Sequence, residues 1–157
     1  MPMHIVLVEP EIPGNTGNIA RLCAATGASL HLVRPLGFSV DDKYLKRAGL
    51  DYWHLVDIHY YDSVEEVLAA YPDSPRFLLT THAHQSYTRV HYAPDSLLIF
   101  GKESAGLPKS FREAHASECV RIPMVSEARS LNLANSVAVV LYEALRQNDF
   151  DLQEGTI

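Results

Sequence analysis

Short apolar runs recur along the chain and alternate with segments of helical periodicity. The apolar runs are rich in valine, isoleucine and leucine, and their length is typical of buried strands. They cover residues 4–8, 30–33, 77–80, 97–100 and 119–122. Helical segments lie between them, at residues 16–26, 41–48, 63–70, 109–116 and 132–147. This alternation predicts an α/β fold with a largely parallel sheet.

Residues at the ends of the helical segments support this assignment. Asp41 and Ser63 stand directly before two of them, where an N-cap side chain is expected. Gly27 and Gly49 stand directly after two others, where a left-handed residue is expected. No internal repeat or low-complexity segment interrupts the pattern. The pattern therefore predicts one continuous domain.

Composition agrees with a single domain that has a core of its own. Of the 157 residues, 47% are hydrophobic and 20% are charged, which suffices to bury a core. The two cysteines, Cys23 and Cys119, belong to no CxxC pair, and no apolar run approaches the length of a membrane span. We expect a cytoplasmic protein without a membrane segment, in which residues 148–157 form a flexible acidic tail.

The charge of the chain restricts how it can bind nucleic acid. The formal net charge is −6 at pH 7, whereas non-specific binding to nucleic acid requires a strongly basic surface. Any RNA site must therefore be local. Its candidate residues are the scattered lysines and arginines Lys43, Lys46, Arg47, Arg76, Arg89, Lys102, Lys109, Arg112 and Arg129.

Three segments dense in Gly, Pro, Asn and Ser each follow a predicted strand directly, at residues 9–21, 101–108 and 123–135. Ligands of open α/β sheets bind at that edge. In the first segment, Asn18 and Arg21 share a helix face, although an N-cap followed by a surface arginine would give the same pattern. In the second, Gly101 lets a ligand approach the backbone, although an ordinary strand-turn-helix junction would also explain it. The spacing excludes a Walker A loop.

The third segment leads into a helix that is apolar around most of its circumference, Val-Ala-Val-Val-Leu-Tyr-Glu-Ala-Leu at residues 137–145. Such a helix must be covered on several sides. A partner subunit can provide that cover, so we expect a homodimer. The interface is expected to include this helix and the start of the 16–26 helix.

Taken together and in this order, the three segments resemble the motifs of the SPOUT class of RNA methyltransferases, in the branch that methylates ribose 2′-hydroxyls. The most specific phrases are Glu-Pro-Glu-Ile-Pro-x-Asn-Thr-Gly-Asn-Ile, from Glu9, and Arg-Ser-x-Asn-Leu, from Arg129. The resemblance runs from His4 to about Gln147 and is strongest to the minimal single-domain members that modify the tRNA wobble nucleotide. It implies one domain over residues 1–157, a Rossmann-like sheet with helices on both faces, and a C-terminal trefoil knot. Pattern alone would have excluded the knot.

The resemblance also implies a methyl donor, S-adenosyl-L-methionine, and a tRNA substrate, with the active site near the subunit interface. It implies that the donor pocket is lined, largely through backbone groups, by Leu79, Thr80, Gly101, Glu103, Ile122, Met124, Ser130 and Leu131. Burial of adenine against Leu79, Ile122 and Leu131 must then supply much of the affinity, because two or three hydrogen bonds of about 0.5–1.5 kcal/mol each fall short of a micromolar affinity.

For catalysis, the resemblance places Arg21 against the ribose 2′-hydroxyl, with Asn15, Glu103 and Asn132 as helpers. An arginine with a pKa above about 12 is rarely neutral at pH 7, so a role as a base and a role as an electrostatic orienter both stay open. No metal is needed, because the sulfonium is its own electrophile, and the spacing of His82 and His84 favours a polar loop over a metal pair. The alternatives are an rRNA 2′-O-methyltransferase, a catalytically silent RNA-binding relative, and a nucleotide-binding regulatory module.

Overall fold

Six parallel strands form one sheet in a computed structural model that describes residues 2–39 and 53–152. The spatial order is β3-β2-β1-β5-β4-β6. The strands are β1 His4–Val8, β2 Ser29–Val33, β3 Ile58–Tyr61, β4 Arg76–Leu79, β5 Leu97–Phe100 and β6 Cys119–Val120. Every pairing between neighbours is parallel, so the predicted α/β class is confirmed.

Helices cover both faces of the sheet. The described α-helices are α1 Pro13–Thr26, α2 Val64–Ala70, α3 Lys109–Ala114 and α4 Leu133–Gln147. Short 3₁₀ helices occupy Tyr87–Arg89 and Ala116–Glu118. Alternate residues of β1 point to opposite faces: Ile5 and Leu7 pack with α1 and α4, whereas Val6 and Val8 pack with α2 and α3. The prediction of helices on both faces is therefore confirmed.

Two predicted helix ends are confirmed. The Ser63 hydroxyl accepts the Glu66 N–H at 3.3 Å and caps α2, and Gly27 ends α1 in the left-handed region at φ 78°. Asn132, which was not predicted as a cap, caps α4 by accepting the Asn135 N–H at 3.1 Å. Residues 40–52 and 153–157 lie outside the described residues. The predicted helix at 41–48 and the expectations for Asp41, Gly49, Lys43, Lys46 and Arg47 fall in the first of these segments.

The structure differs from the predicted elements by more than one residue in four places. An edge strand, β3, pairs with β2 and was not predicted, because its sequence Ile-His-Tyr-Tyr is polar and mostly half-exposed. Helix α1 begins at Pro13 instead of residue 16, and α3 ends at Ala114, two residues early. Strand β6 ends at Val120, although Arg121 continues the pairing with Ser86 as a single bridge.

The strand order places a crevice at the carboxyl edge of the sheet. Strand β1 lies between β2 and β5, so the connections that follow β1 and β5 start side by side and diverge. In doubly wound sheets such a switch point binds ligands. The predicted motif segments at residues 9–21 and 101–108 begin here. The trefoil threading implied by the resemblance stays a prediction.

Candidate active site

The three predicted segments meet around one cavity at this edge of the sheet. Its volume is about 580 Å³, within the range of roughly 300–1,000 Å³ that is usual for ligand pockets. The connections after β1, β4 and β5 contribute to its wall, as do the segment after β6 and the first turn of α4. Segments separated by more than a hundred residues in the chain therefore form a single site.

All eight residues expected in the donor pocket line this cavity. They are Leu79, Thr80, Gly101, Glu103, Ile122, Met124, Ser130 and Leu131. Ile122 and Met124 are half-buried, and Leu131 is 42% exposed, so apolar surface is available for a ligand to cover. Their roles in donor binding stay a prediction, but their convergence on one cavity is a structural fact.

The four predicted catalytic residues do not all lie together. Asn15, Glu103 and Asn132 line the cavity, whereas Arg21 is not among the described residues that do so. Arg21 is exposed on α1, on the same helix face as the exposed Asn18, because residues three apart in a helix are neighbours on its surface. Within one chain, the expected catalytic arginine therefore lies outside the cavity.

Glu103 joins the turn that follows β5 to the beginning of α1. Its Oε1 accepts the Glu11 N–H at 2.8 Å, and its Oε2 accepts the Ile12 N–H at 2.9 Å and an Asn15 Nδ2–H at 3.2 Å. The N-cap residue Ile12 has no capping side chain of its own. A carboxylate from another segment thus satisfies N–H groups that a helix end leaves unpaired and complements the positive end of its dipole.

Asn15 and Asn132 extend this network to the last helix. Asn132 Nδ2 donates to Asn15 Oδ1 at 3.1 Å, while Asn132 Oδ1 caps α4. The carboxylate of Glu103 and the two amides therefore form a continuous hydrogen-bonded chain. This hydrogen-bonded network fixes three of the predicted catalytic side chains relative to one another. It contains one residue from each of the three segments.

The cavity is locally basic in an acidic chain. Among the described residues that line it, Lys102, Arg112 and Arg129 are cationic and Glu103 is the acidic one. The Arg112 Nε–H donates to the Leu107 carbonyl at 3.2 Å, and Lys102 Nζ lies 3.9 Å from Glu9 Oε1. Three of the nine candidate RNA-contacting residues are thus at the site. Two others form ion pairs with acids outside the cavity lining, Arg76 with Glu118 and Lys109 with Glu113.

Gly101 is required for a different reason from the one predicted. The sequence interpretation was that it lets a ligand approach the strand end. A Cβ on Gly101 would instead overlap the main chain of Gly106 and Leu107 and lie 2.6 Å from the Gly106 Cα. The close approach is therefore made by the chain itself, where Lys102 to Gly106 forms a tight turn over the cavity.

Sequence reasoning missed Glu11. The Glu11 carboxylate accepts the Ser104 N–H at 2.8 Å, and hydrogen bonding from Ser104 lowers the pKa of that carboxyl. An acid just ahead of a helix is a visible sequence signal, but the predicted start of α1 at residue 16 placed Glu11 too far from the helix. His82 lines the cavity as part of the loop that was expected to be polar.

Two further findings concern metal-ligating side chains and membrane-spanning helices. Over residues 2–39 and 53–152, no three His, Cys, Asp or Glu side chains are grouped so that they could hold a metal ion. Within the same residues, no helix has both the length and the apolar character needed to span a bilayer.

The sequence and fold match one family of methyltransferases. The model of the SpoU rRNA Methylase family matches residues 2–142, and the chain belongs to this family. It is 50% identical over 147 residues to the tRNA (cytidine(34)-2′-O)-methyltransferase of Methylovorus glucosotrophus, which covers 93% of this chain and 96% of that protein.

Solved structures give the same result. A structure described as "Structural insights into the 2-OH methylation of C/U34 on tRNA" has a TM-score of 0.87 and 44% identity over 94% of this chain and 96% of that chain. The AdoMet-bound rRNA methyltransferase from Sinorhizobium meliloti has a TM-score of 0.81 and 25% identity, over 92% of this chain and 56% of that chain. The predicted class of protein is thereby confirmed.

Proposed function

We propose that this chain transfers a methyl group from S-adenosyl-L-methionine to the ribose 2′-hydroxyl of the wobble nucleotide, cytidine or uridine 34, of tRNA. The observation that carries the proposal is the convergence of all three motif segments on one cavity, in a chain half identical, over nearly its full length, to a tRNA (cytidine(34)-2′-O)-methyltransferase. The reaction would take place in the cytoplasm, where tRNA is modified.

The residues of the cavity fit the donor. A half-exposed aliphatic wall of Leu79, Ile122 and Leu131 can cover an adenine ring, and main-chain groups around Gly101 can hydrogen-bond its edge. The donor supplies a methyl group on a sulfonium, so the task of the protein is to align oxygen, methyl and sulfur. Lys102, Arg112 and Arg129 provide positive charge beside the site for the anionic RNA.

Arg21 is proposed to orient the ribose 2′-hydroxyl and to stabilise negative charge that develops on its oxygen. The Asn15–Asn132 amide pair and Glu103 hold the first turn of the helix that carries Arg21. Because Arg21 lies outside the cavity of its own chain, this role is fulfilled most simply if Arg21 of one protomer reaches the cavity of its partner.

A homodimer would allow this arrangement. Helices α1 and α4 pack together on one face of the sheet, and this side exposes Ile12 (48%), Val139 (39%) and Tyr142 (46%). Covering these side chains is the expected driving force for association. Sedimentation at micromolar concentration should give a dimer, and a monomer would contradict this part of the proposal.

The substrate is tested directly with the purified protein. Incubation with labelled donor and, separately, total tRNA and rRNA from cells that lack the enzyme should label tRNA, and mass spectrometry of the digested product should place the methyl group on ribose 34. Methylation at another nucleotide, or of rRNA alone, would refute the wobble assignment.

An rRNA 2′-O-methyltransferase is the second candidate. The observation that favours it is the family description and the likeness to the Sinorhizobium meliloti rRNA enzyme, which is only 25% identical. A catalytically silent RNA-binding relative would bind tRNA without labelling it. A nucleotide-binding regulatory module would bind the donor and no RNA.

A further inference from the structure

Two acidic side chains cross between the segment before α1 and the turn over the cavity. Glu103, from the turn, accepts the N–H groups of Glu11 and Ile12, and Glu11 in return accepts the N–H of Ser104. We refer to these two side chains and their main-chain donors as the Glu11–Glu103 pair. Each carboxylate thus holds the backbone of the segment that carries the other.

The hydrogen bonds also set the charge of Glu11. A carboxylate that accepts hydrogen bonds from N–H groups is favoured in its ionised form. Hydrogen bonds from Ser104 lower the pKa of Glu11, and Lys102 lowers it further. Glu11 is therefore ionised at neutral pH, which strengthens its bond to the Ser104 N–H.

The pair also lies where the turn that lines the cavity meets the beginning of α1. On one side is the tight turn from Lys102 to Gly106, closed by the Gly106 N–H to Lys102 carbonyl bond at 2.8 Å, which lines the donor cavity. On the other side is the end of α1 with Asn15, which Glu103 also contacts. A shift of the turn would therefore move both the cavity wall and the beginning of α1.

We propose that Glu11 is a positioning residue for donor binding: it holds the Lys102–Gly106 turn in its binding conformation through the Ser104 N–H. Together with Glu103 it couples the donor cavity to the end of α1. The inference rests on the proposed use of this cavity for the methyl donor, but not on which RNA is methylated.

The bonding pattern gives the two glutamates different tolerance to glutamine. Glu11 accepts the Ser104 N–H at Oε1 and also bonds the Ser104 hydroxyl. Glutamine retains one acceptor oxygen for the N–H, and its NH₂ group can donate to a hydroxyl oxygen. Glu103 uses both oxygens, so glutamine would turn an NH₂ group towards an N–H donor. A merely negative surface patch would not distinguish the two positions.

The experiment compares Glu11→Ala, Glu11→Gln, Glu103→Ala and Glu103→Gln with the parent protein, and uses Glu65→Ala, an exposed acid on α2, as the control. The first readout needs no ligand: amide hydrogen exchange at Ser104, followed by NMR. The second is calorimetric affinity for the donor and for S-adenosyl-L-homocysteine. Melting temperature reports whether each variant is folded.

We expect Glu11→Ala to speed exchange at Ser104 by about 10-fold, the usual weight of one hydrogen bond to a charged group, and to weaken donor binding by about 5-fold or more. Glu11→Gln should retain most of the parent values, whereas Glu103→Gln should be as impaired as Glu103→Ala. With saturating donor, the single-turnover rate of Glu11→Ala should recover, whereas that of Glu103→Ala should stay low because Asn15 also loses its Glu103 partner.

Unchanged donor affinity in folded Glu11→Ala would overturn the inference. So would Glu11→Gln behaving like Glu11→Ala, or Glu103→Gln behaving like the parent. If Glu11→Ala does not fold, the difference in donor affinity between Glu11→Gln and Glu103→Gln still tests the inference. If the parent protein binds the donor but methylates no tRNA, the proposed function fails, while the exchange and affinity measurements still test the pair.

Discussion

The candidate active-site cavity at the carboxyl edge of the sheet and a histidine cluster on the sheet face covered by α2 and α3 both contain polar networks, but these networks are built differently. In the cavity, Glu103, Asn15 and Asn132 bond to one another and to main-chain N–H groups while facing open space. Under α2, His4 Nδ1 lies 2.9 Å from His31 Nε2, and His31 Nδ1 lies 3.1 Å from the Tyr61 hydroxyl. Both histidines are buried.

The difference concerns what each network can do. Buried polar side chains that bond only to one another contribute to stability and specificity of the core, and they offer nothing to a ligand. The cavity network leaves Glu103 and Asn132 accessible and joins segments that must be aligned for chemistry. We therefore expect substitutions in the cavity to change binding and rate with little effect on stability, and changes in the histidine cluster to do the reverse.

The largest expected change in rate without loss of stability comes from Arg21→Ala. It should leave the fold, the dimer and donor affinity nearly intact, while methyl transfer falls by at least about 100-fold, the lower end for a positioned electrostatic or acid–base group. Arg21→Lys should restore little if the planar guanidinium orients the ribose, and more if charge alone matters. Near-normal single-turnover rates in Arg21→Ala would remove Arg21 from the mechanism.

The next largest effect is expected at Gly101. Gly101→Val should reduce donor affinity by about 30-fold or more in calorimetry, because its side chain would push the Gly106–Leu107 main chain out of place. Gly14→Ala is the matched control: a Cβ there meets no atom within 4 Å, so donor affinity should not change. Equal donor affinities for Gly101→Val and the parent would show that the turn does not form the pocket.

Acid should lower the stability of the folded protein through the histidine cluster. Burial lowers the pKa of His31 from 6.5 to about 3, helped by the nearby His4 and His59, and burial also lowers the pKa of His4. The folded protein therefore binds fewer protons than the unfolded chain between these values, so stability is complete above pH 6.5 and falls as pH decreases towards 3. Urea unfolding should show a slope of up to about 1.4 kcal/mol per pH unit for each such histidine.

The double variant His4→Leu/His31→Leu provides the control for this acid dependence. It replaces both members of the pair with apolar groups, so its free energy of unfolding should depend less on pH over the same range. An identical pH dependence in the parent and the double variant would show that other groups cause the acid sensitivity. Donor affinity at pH 7.5 should be the same in both proteins.

The smallest expected effect concerns two threonines of α1. The Thr16 hydroxyl is fully buried and has no hydrogen-bond partner among the described residues, whereas the Thr26 hydroxyl donates to the Leu22 carbonyl at 2.9 Å. Thr16→Val should be neutral or raise the free energy of unfolding by up to about 1 kcal/mol, and Thr26→Val should lower it by a similar amount. A larger loss in Thr16→Val than in Thr26→Val would contradict this order.

What could be predicted from the sequence was local. The strands at residues 4–8 and 97–100 and the cap at Ser63 follow from nearby residues alone, and the structure has them as predicted. The start of α1 could not be predicted in this way, because its capping acceptor, Glu103, comes from a segment about ninety residues away. Strand β3 was missed because its half-exposed polar sequence becomes a strand only through pairing with β2.

In the candidate site, too, local features were predictable and contacts between distant segments were not. Its residue types were visible in the three segments, and the resemblance named the cavity-lining residues. The collision that makes Gly101 necessary and the bond from Ser104 to Glu11 depend on how distant turns pack. Such contacts between segments have no signature in a single sequence.

The bond between Asn132 and Asn15 also has a consequence for biosynthesis. It joins side chains 117 positions apart, and Ser136 is the most C-terminal residue of the cavity wall. A chain grows from its N-terminus, so a nascent polypeptide carries the first segment long before the third is made. The enzyme would therefore be inert until synthesis has passed the third segment and the start of α4.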